Sequence, residues 1–347
     1  FGACATGGDV FTFLMKKENL DFSEALRVLA QRAGVSLAPR TEVDKKRDER
    51  DSLLREINSS AARYFHHLLL QSPRAQMPRE YLEKRKMMEE TWGTFQLGYS
   101  LPEWEALSQH LTEKGYGEED IFAAGLTVER EGGGYYDRFR GRLMFPIRDG
   151  RGSVVGFGGR ALDDSPAKYV NTPQTLLFDK GSILYGIHLA REAIREEGMA
   201  VIVEGYMDVL MAHQHGFKNV AASMGTALTE SQVRALRRLT KSFTLAMDAD
   251  AAGEQASLRG LEVVKKHYGV EHRQSPEIRE TYQHIWLKKY VDANIKVITL
   301  PKGLDPDDVI REDPDQWRRV VGEALPLMDY YFQVAEEGRD LQSAEGK

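Results

Sequence analysis

The spacing of apolar residues changes character twice along the chain. Over residues 9–33 they recur three to four apart, in "DVFTFLMKKE" and "FSEALRVLAQRAG". That spacing predicts two short helices, the second stopped by Gly34. Residues 36–52, "SLAPRTEVDKKRDERDS", are polar and highly charged, a linker or the start of an exposed helix. A helix to about residue 71 follows, and another opens at Pro78 in "PREYLEKRKM". After Phe95 short β-prone pieces take over: "FQLGYS", "GLTVE", "RLMFPIRD" and "SVVGFGG", with "RDGRG" as a hairpin turn between the last two. From residue 186 the rhythm becomes regular. Helices "HLAREAIREEG", "YMDVLMAHQHG", "TESQVRALRRL" and "AAGEQASLRGLEVVKKH" alternate with strands "MAVIVEG", "NVAAS", "SFTLAMD" and, after an irregular insert, "IKVITL". This alternation predicts a parallel α/β sheet. Residues 307–313 and 315–339 read as acidic helices.

The expected architecture is therefore a parallel α/β sheet preceded by a mixed α+β unit with a small antiparallel sheet and followed by acidic helices. Apolar residues make up 41% of the 347 and charged residues 29%, which fits an ordered globular chain. No apolar run approaches the roughly 18–20 residues of a membrane span. The chain starts at Phe1 and runs straight into a glycine-rich segment, so it is expected to be a piece of a longer protein. Its single cysteine excludes an intramolecular disulfide and fits a reducing cytosol. The net charge of −6 argues against a nucleic-acid partner only until its distribution is examined. Residues 303–347 carry twelve acidic and five basic side chains, whereas residues 138–180 carry eight basic and four acidic. A local basic face matters more than the total for binding phosphates.

Ligands of open α/β sheets bind beyond the carboxyl ends of the strands. Glu204 follows "MAVIV", with Asp208 one helical turn further on. Asp248 and Asp250 follow "SFTLAM", and Asp305, Asp307 and Asp308 follow "IKVITL". Each group alone is an ordinary turn or helix cap. Together, at the ends of three strands of one unit, they form a crevice of like charges that favours a cation. Hard divalent ions such as Mg²⁺ take such oxygen ligands together with substrate phosphates.

Glu204-Gly205 after one strand and Asp248-x-Asp250 after a later one resemble the Toprim domain of primases, topoisomerases and some nucleases. The cluster "LPKGLDPDD" is similar to that of bacterial DnaG-type primases. So are "VEGYMDV", "YDRFRGRLMFPIRD", "GFGGRAL", "KYVNTPQTLLFDKG" and "LYG", in order along nearly the whole chain, and the opening resembles the end of that family's zinc-binding domain. The resemblance implies a DNA-directed RNA polymerase that makes short primers on a single-stranded DNA template from ribonucleoside triphosphates, in the bacterial cytoplasm. A replicative helicase would be its partner, through a C-terminal domain absent from this chain. It implies Mg²⁺ or Mn²⁺, two ions, held by Glu204, Asp248 and Asp250, with Asp208, Asp305 and Asp307 holding or orienting a second ion; Glu204 is alternatively a proton-transfer group. Catalytic residues would be Glu204, Asp208, Asp248 and Asp250. Template or nucleotide contacts would come from Arg138, Arg140 and Arg142, which alternate and on an extended segment share one face, and from Arg160, Lys168, Tyr169, Asn171 and Lys180. Cys4 would be a remnant ligand of a structural zinc site.

The corresponding domain reading is 1–38 zinc-domain remnant, 39–52 linker, 53–185 basic α+β subdomain, 186–314 Toprim domain with an insert near 271–294, and 315–347 the start of a helical subdomain. Two departures from the family pattern stand out. Ala249 replaces the usual central glycine of Asp-Gly-Asp, and the insert is longer than expected. His66, His67, His213 and His215 read as packing or surface residues. Two other readings compete. One is a different Toprim enzyme, a nuclease or topoisomerase-like protein. The other is a DNA-binding module without catalysis.

Overall fold

A computed structural model describes residues 9–18, 20, 22–35, 41–225, 228–246, 294–301, 303–327, 329 and 330. Two compact units divide at Arg50/Asp51. In the first, helices α1 (Val10–Glu18) and α2 (Phe22–Arg32) bury Leu14, Ala25 and Ala30, and Phe11 and Phe22 meet with ring centroids 5.4 Å apart. The charged stretch expected as a linker or helix start is helical: α3 runs unbroken over Glu42–Gln71.

The second unit holds the remaining elements. After α3 come α4 (Gln76–Lys84), α5 (Glu89–Thr94), β1 (Gly98–Ser100), α6 (Ala106–Glu113) and α7 (Glu118–Ala123). Helix α4 begins two residues before Pro78, which sits inside its first turn where a missing N–H costs nothing. Next follow β2 (Thr127–Glu129), β3 (Tyr135–Asp137), β4 (Arg142–Arg148), β5 (Val154–Ala161) and β6 (Tyr169–Asn171). Strands β1-β4-β5-β6 form one antiparallel sheet, and β2-β3 a separate hairpin. The expected turn closes β4 onto β5: the Ser153 carbonyl accepts from Asp149 N–H, and the Asp149 carboxylate accepts from Arg151 and Ser153 N–H.

The alternating unit follows as α8 (Ile187–Glu197), β7 (Met199–Val203), α9 (Tyr206–Gln214), β8 (Val220–Ala222), α10 (Glu230–Arg237), β9 (Ser242–Ala246), β10 (Asn294–Ile298), α11 (Pro306–Glu312), α12 (Pro314–Gly322) and β11 (Leu325–Pro326). Its sheet order is β11-β10-β9-β7-β8, parallel throughout β8-β7-β9-β10. Strands buried on both faces need near-continuous apolar runs, which "MAVIV" and "FTLA" supply. Residues 315–339, expected as one helix, break at Gly322. Leu325-Pro326 then pairs antiparallel with β10, because a residue preceding proline is pushed out of the helical region. The helix "AAGEQASLRGLEVVKKH" and almost all of the insert lie outside the described residues.

Period-two alternation assigns the faces. Leu143, Phe145 and Ile147 of β4 share a core with Val201 and Val203 of β7, whereas Met144 faces a second core under α3. Ala200 and Ile202 of β7 face a third, with α8 and α10. The shared core is organised around α9, whose residues 206–213 are all buried. A helix apolar on every side belongs inside a protein. Tyr206 at its first position stacks on Phe145 with centroids 4.8 Å apart and donates its hydroxyl to Asn171 Oδ1 at 2.6 Å. The ring lies where a Cβ on Gly158 would stand, 2.5 Å from its Cζ.

His213, at the far end of α9, is 3% exposed; its Nε2 donates to the Val220 carbonyl at 2.9 Å and its ring meets Phe95 edge-on. Burial pushes its pKa down to about 4. The unfolded chain, with an ordinary histidine pKa near 6.5, takes up the proton first. Stability from this group is therefore complete above pH 6.5 and lost as pH falls toward 4, about 2 kcal/mol of it by pH 5. Urea denaturation at pH 7 and pH 5 is expected to show that loss, and His213→Gln to shrink the pH dependence. Gly158→Ala is expected to cost about 1–3 kcal/mol, the range for overpacking a filled core, measured by the same denaturation at pH 7.

Candidate active site

Strands β7, β9 and β10 run parallel in adjoining register, with Ile202 opposite Leu245 and Ala246 opposite Ile298, so their carboxyl ends share one edge. Glu204 leaves β7 directly there, half-buried. Asp248 and Asp250 follow β9 in sequence and lie outside the described residues, as does Cys4. From β10 the chain passes through Leu300 to Asp305, which precedes α11; Pro306 at its first position pre-sets the helical φ.

Asp208 joins two of these ends. It is 6% exposed, and its carboxylate accepts from Gly205 N–H at 2.9 Å and from Asp307 N–H at 3.1 Å. One side chain thus satisfies free amides at the first turns of both α9 and α11, where donors lack helical partners. One carboxylate oxygen from each of Asp305, Asp307 and Asp308 can be chosen so that the three lie within 4.8 Å of one another. An all-oxygen donor set of this kind fits a hard divalent cation. Asp307 is 2% exposed and already carries a cation: Arg85 Nη1 lies 2.5 Å from its Oδ2, and Arg311 Nη1 lies 3.7 Å away. Burial raises the Asp307 pKa, and Arg85 counters that shift.

Beside the acids lies a face of cations and aromatic rings. The Arg160 guanidinium sits between Tyr81, 4.8 Å from its ring centre, and Tyr169, 5.2 Å away, and donates to the Tyr169 hydroxyl at 2.6 Å. Tyr169 and Asn171 alternate on β6, and both reach Tyr206. Arg160 and Lys168 line one cleft together with Tyr81, Asp163 and Asp164. Lys168 is exposed, and Lys180 is half-buried, a desolvation that lowers its pKa. Neither lysine has an ion-pair partner among the described residues.

Arg138, Arg140 and Arg142 do not share one extended face. The strand is interrupted between Asp137 and Arg142, with Gly141 at φ 62°, and the three side chains take different partners. Arg138 donates to the Gly125 carbonyl, and Arg142 to those of Gly159 and Ala167. Arg140 lies 4.2 Å from the Trp104 ring centre and 5.1 Å from that of Tyr136. Trp104, 57% exposed, is pinned through its carbonyl, which accepts from Asp137 N–H at 2.7 Å. The Asp137 carboxylate in turn accepts from Leu107 and Ser108 N–H at the start of α6. Sequence reasoning missed Trp104, Tyr136, Tyr81 and Arg85. The available signal was an aromatic residue in the charged turn "LPEWEAL", but its pairing with Arg140 spans 36 positions.

Three family models match the chain: "CHC2 zinc finger" over residues 1–45, "DNA primase catalytic core, N-terminal domain" over 64–191, and "Toprim-like" over 201–283. A DNA primase of Halalkalibacterium halodurans is 38% identical over 343 residues, covering 98% of this chain and 53% of the relative. The chain thus spans about half the length of the curated relatives it matches. Among solved structures, a DNA primase domain from Pseudomonas aeruginosa superposes with a TM-score of 0.71 at 35% identity, covering 84% of this chain and 86% of that one. A DnaG primase catalytic domain bound to single-stranded DNA gives 0.71 at 31% identity, covering 86% and 87%. No helix among the described residues is long and apolar enough to cross a membrane. With these matches running through both sheets and the strand-end acids, the chain belongs to the DnaG-type DNA primase family.

Proposed function

We propose that this chain is the RNA-polymerase core of a primase and makes short RNA primers on single-stranded DNA during replication. The observation that carries the reading is the juxtaposition, around one core, of converging strand-end carboxylates with a cationic and aromatic face. A nuclease needs the first feature and a binding module the second; templated nucleotidyl transfer needs both. The single-stranded DNA bound to a solved relative supports the template assignment.

In this reaction a 3′-hydroxyl oxygen forms a bond to the α-phosphorus of an incoming ribonucleoside triphosphate, and the bond to pyrophosphate breaks. Mg²⁺ or Mn²⁺ ions, two of them, held by Glu204, Asp248, Asp250, Asp305 and Asp307, would supply neutralisation of the charge on the transferring phosphoryl group. The chain's own work is positioning. Asp208 fixes the first turns of α9 and α11 so that the acids stay converged. Arg160, Lys168 and Lys180 take the triphosphate, and guanidinium donors suit its oxygens. Tyr169 and Asn171 face the nucleotide. Arg138, Arg140 and Arg142 hold the template, and Trp104 offers an exposed ring for base stacking. Glu204 is placed either to hold an ion or to accept the hydroxyl proton. A zinc ion would belong to the segment matching the zinc-finger model, with Cys4 among its ligands. The partner would be a replicative helicase, and the setting the bacterial cytoplasm.

Incubation with single-stranded DNA, ribonucleotides and Mg²⁺ or Mn²⁺ is expected to yield short RNA. Cleaved template without RNA would overturn the reading. Asp248→Ala is expected to abolish synthesis while template binding, followed by fluorescence anisotropy, persists. Trp104→Ala is expected to weaken that binding by the ~1–3 kcal/mol of one base–aromatic stack.

A further inference from the structure

Arg85, the cation on Asp307, has no part in holding ion, template or triphosphate, yet it is built into the site. It caps α4, and its own N–H bonds the Tyr81 carbonyl at 3.1 Å. The turn that follows is tight: Lys86 takes φ 56°, and Met87 N–H closes on the Leu82 carbonyl at 2.9 Å. Gln214, at the end of α9, clamps this turn from outside. Its amide donates to the Lys86 carbonyl at 2.9 Å and accepts from Met88 N–H at 2.8 Å. The helix that bears Asp208 at one end therefore fixes, at its other end, the turn from which Arg85 reaches the acids. Its guanidinium lies 2.5 Å from Asp307 and 3.9 Å from Asp308.

An arginine so fixed against a nearly inaccessible carboxylate is the cation that a buried charge requires. It also stands beside the oxygens that a divalent ion would use. We propose that Arg85 is a positioning residue: the internal counter-cation of Asp307, which keeps the Asp305–Asp307–Asp308 cluster converged without metal and lowers the cluster's affinity for a divalent ion by sharing its carboxylate. The proposal rests on the metal reading of this cluster. Arg85 thus trades ion affinity for a site assembled in advance. With the charge removed, the three acids repel each other more strongly until an ion arrives, and the ion then meets one competing cation fewer, Arg311 alone remaining beside Asp307 and Asp308.

The test is Mn²⁺ binding to the whole 347-residue chain, followed by electron paramagnetic resonance of the free ion, with thermal denaturation alongside. Arg85→Gln is expected to bind Mn²⁺ roughly tenfold more tightly, as removal of a like charge a few ångströms away requires. Its melting temperature without metal is expected to drop, and millimolar Mg²⁺ to restore it. Unchanged or weaker Mn²⁺ binding in Arg85→Gln would overturn the proposal, as would a melting loss that Mg²⁺ leaves in place. Asp305→Asn separates the two readings. If it leaves wild-type Mn²⁺ binding intact, the cluster is no metal site and both readings fall; if it weakens binding, only the Arg85 result decides. Should Arg85→Gln fail to fold, Arg85→Lys keeps the charge and is expected within about twofold of wild type. A tenfold change there would overturn the proposal.

Discussion

One missing side chain holds the molecule together. Gly158 lies in the middle of β5, where a glycine normally weakens a strand. Here the space it leaves is occupied by the Tyr206 ring, stacked on Phe145 and tied to Asn171. Tyr206 is the second residue after Glu204, so the contact that docks the antiparallel sheet onto α9 also fixes the strand end where the acids gather. Phe145, Val203, Tyr206 and Val309 accordingly share one core, and the cationic face on β5 and β6 has a set distance from the carboxylates. Such rigidity suits a site whose chemistry is mainly positioning.

Charge is balanced locally around this frame. The net charge of −6 hides a division of labour. Carboxylates that would repel each other are held by backbone amides, as Asp208 is, or by guanidinium groups, as Asp307 is. On the basic side, aromatic rings separate the cations: Tyr81 and Tyr169 flank Arg160, while Trp104 and Tyr136 flank Arg140. A guanidinium against a ring is more weakly hydrated than one in open water, yet its edge still donates.

Much of the fold was legible because the relevant signals are local. The apolar runs of β7 and β9 and the hairpin between β4 and β5 are encoded within a few residues each, as is the switch from period two to period 3.6. That Glu204 and the Asp305–Asp308 turn lie at one edge was legible for a different reason, since a parallel sheet brings its strand ends together; Asp208 joins the two through the amides of Gly205 and Asp307. What could not be read was set by distance or by single backbone angles. The alternation of Arg138, Arg140 and Arg142 is interrupted, with Gly141 at φ 62°, and Pro326 turns an expected helix into a strand. The pairing of Arg85 with Asp307 links positions 222 apart, which no periodicity announces.

Strand β11 has a consequence for where this sheet ends as an independent object. The parallel strands finish with β10, and a boundary near residue 314 follows from sequence rhythm alone. Leu325-Pro326 nevertheless covers the outer hydrogen-bonding rim of β10, while on the opposite flank Tyr185 bridges Ala222 of β8. Both rims are thus closed by short pieces from outside the alternating unit. A shortened chain stopped at 314 would keep every strand-end carboxylate and leave the backbone donors and acceptors that β10 now shares with β11 unpaired, an edge open to strands from other molecules. Leu325-Pro326 therefore bears on how the sheet ends rather than on the chemistry of its strand-end carboxylates.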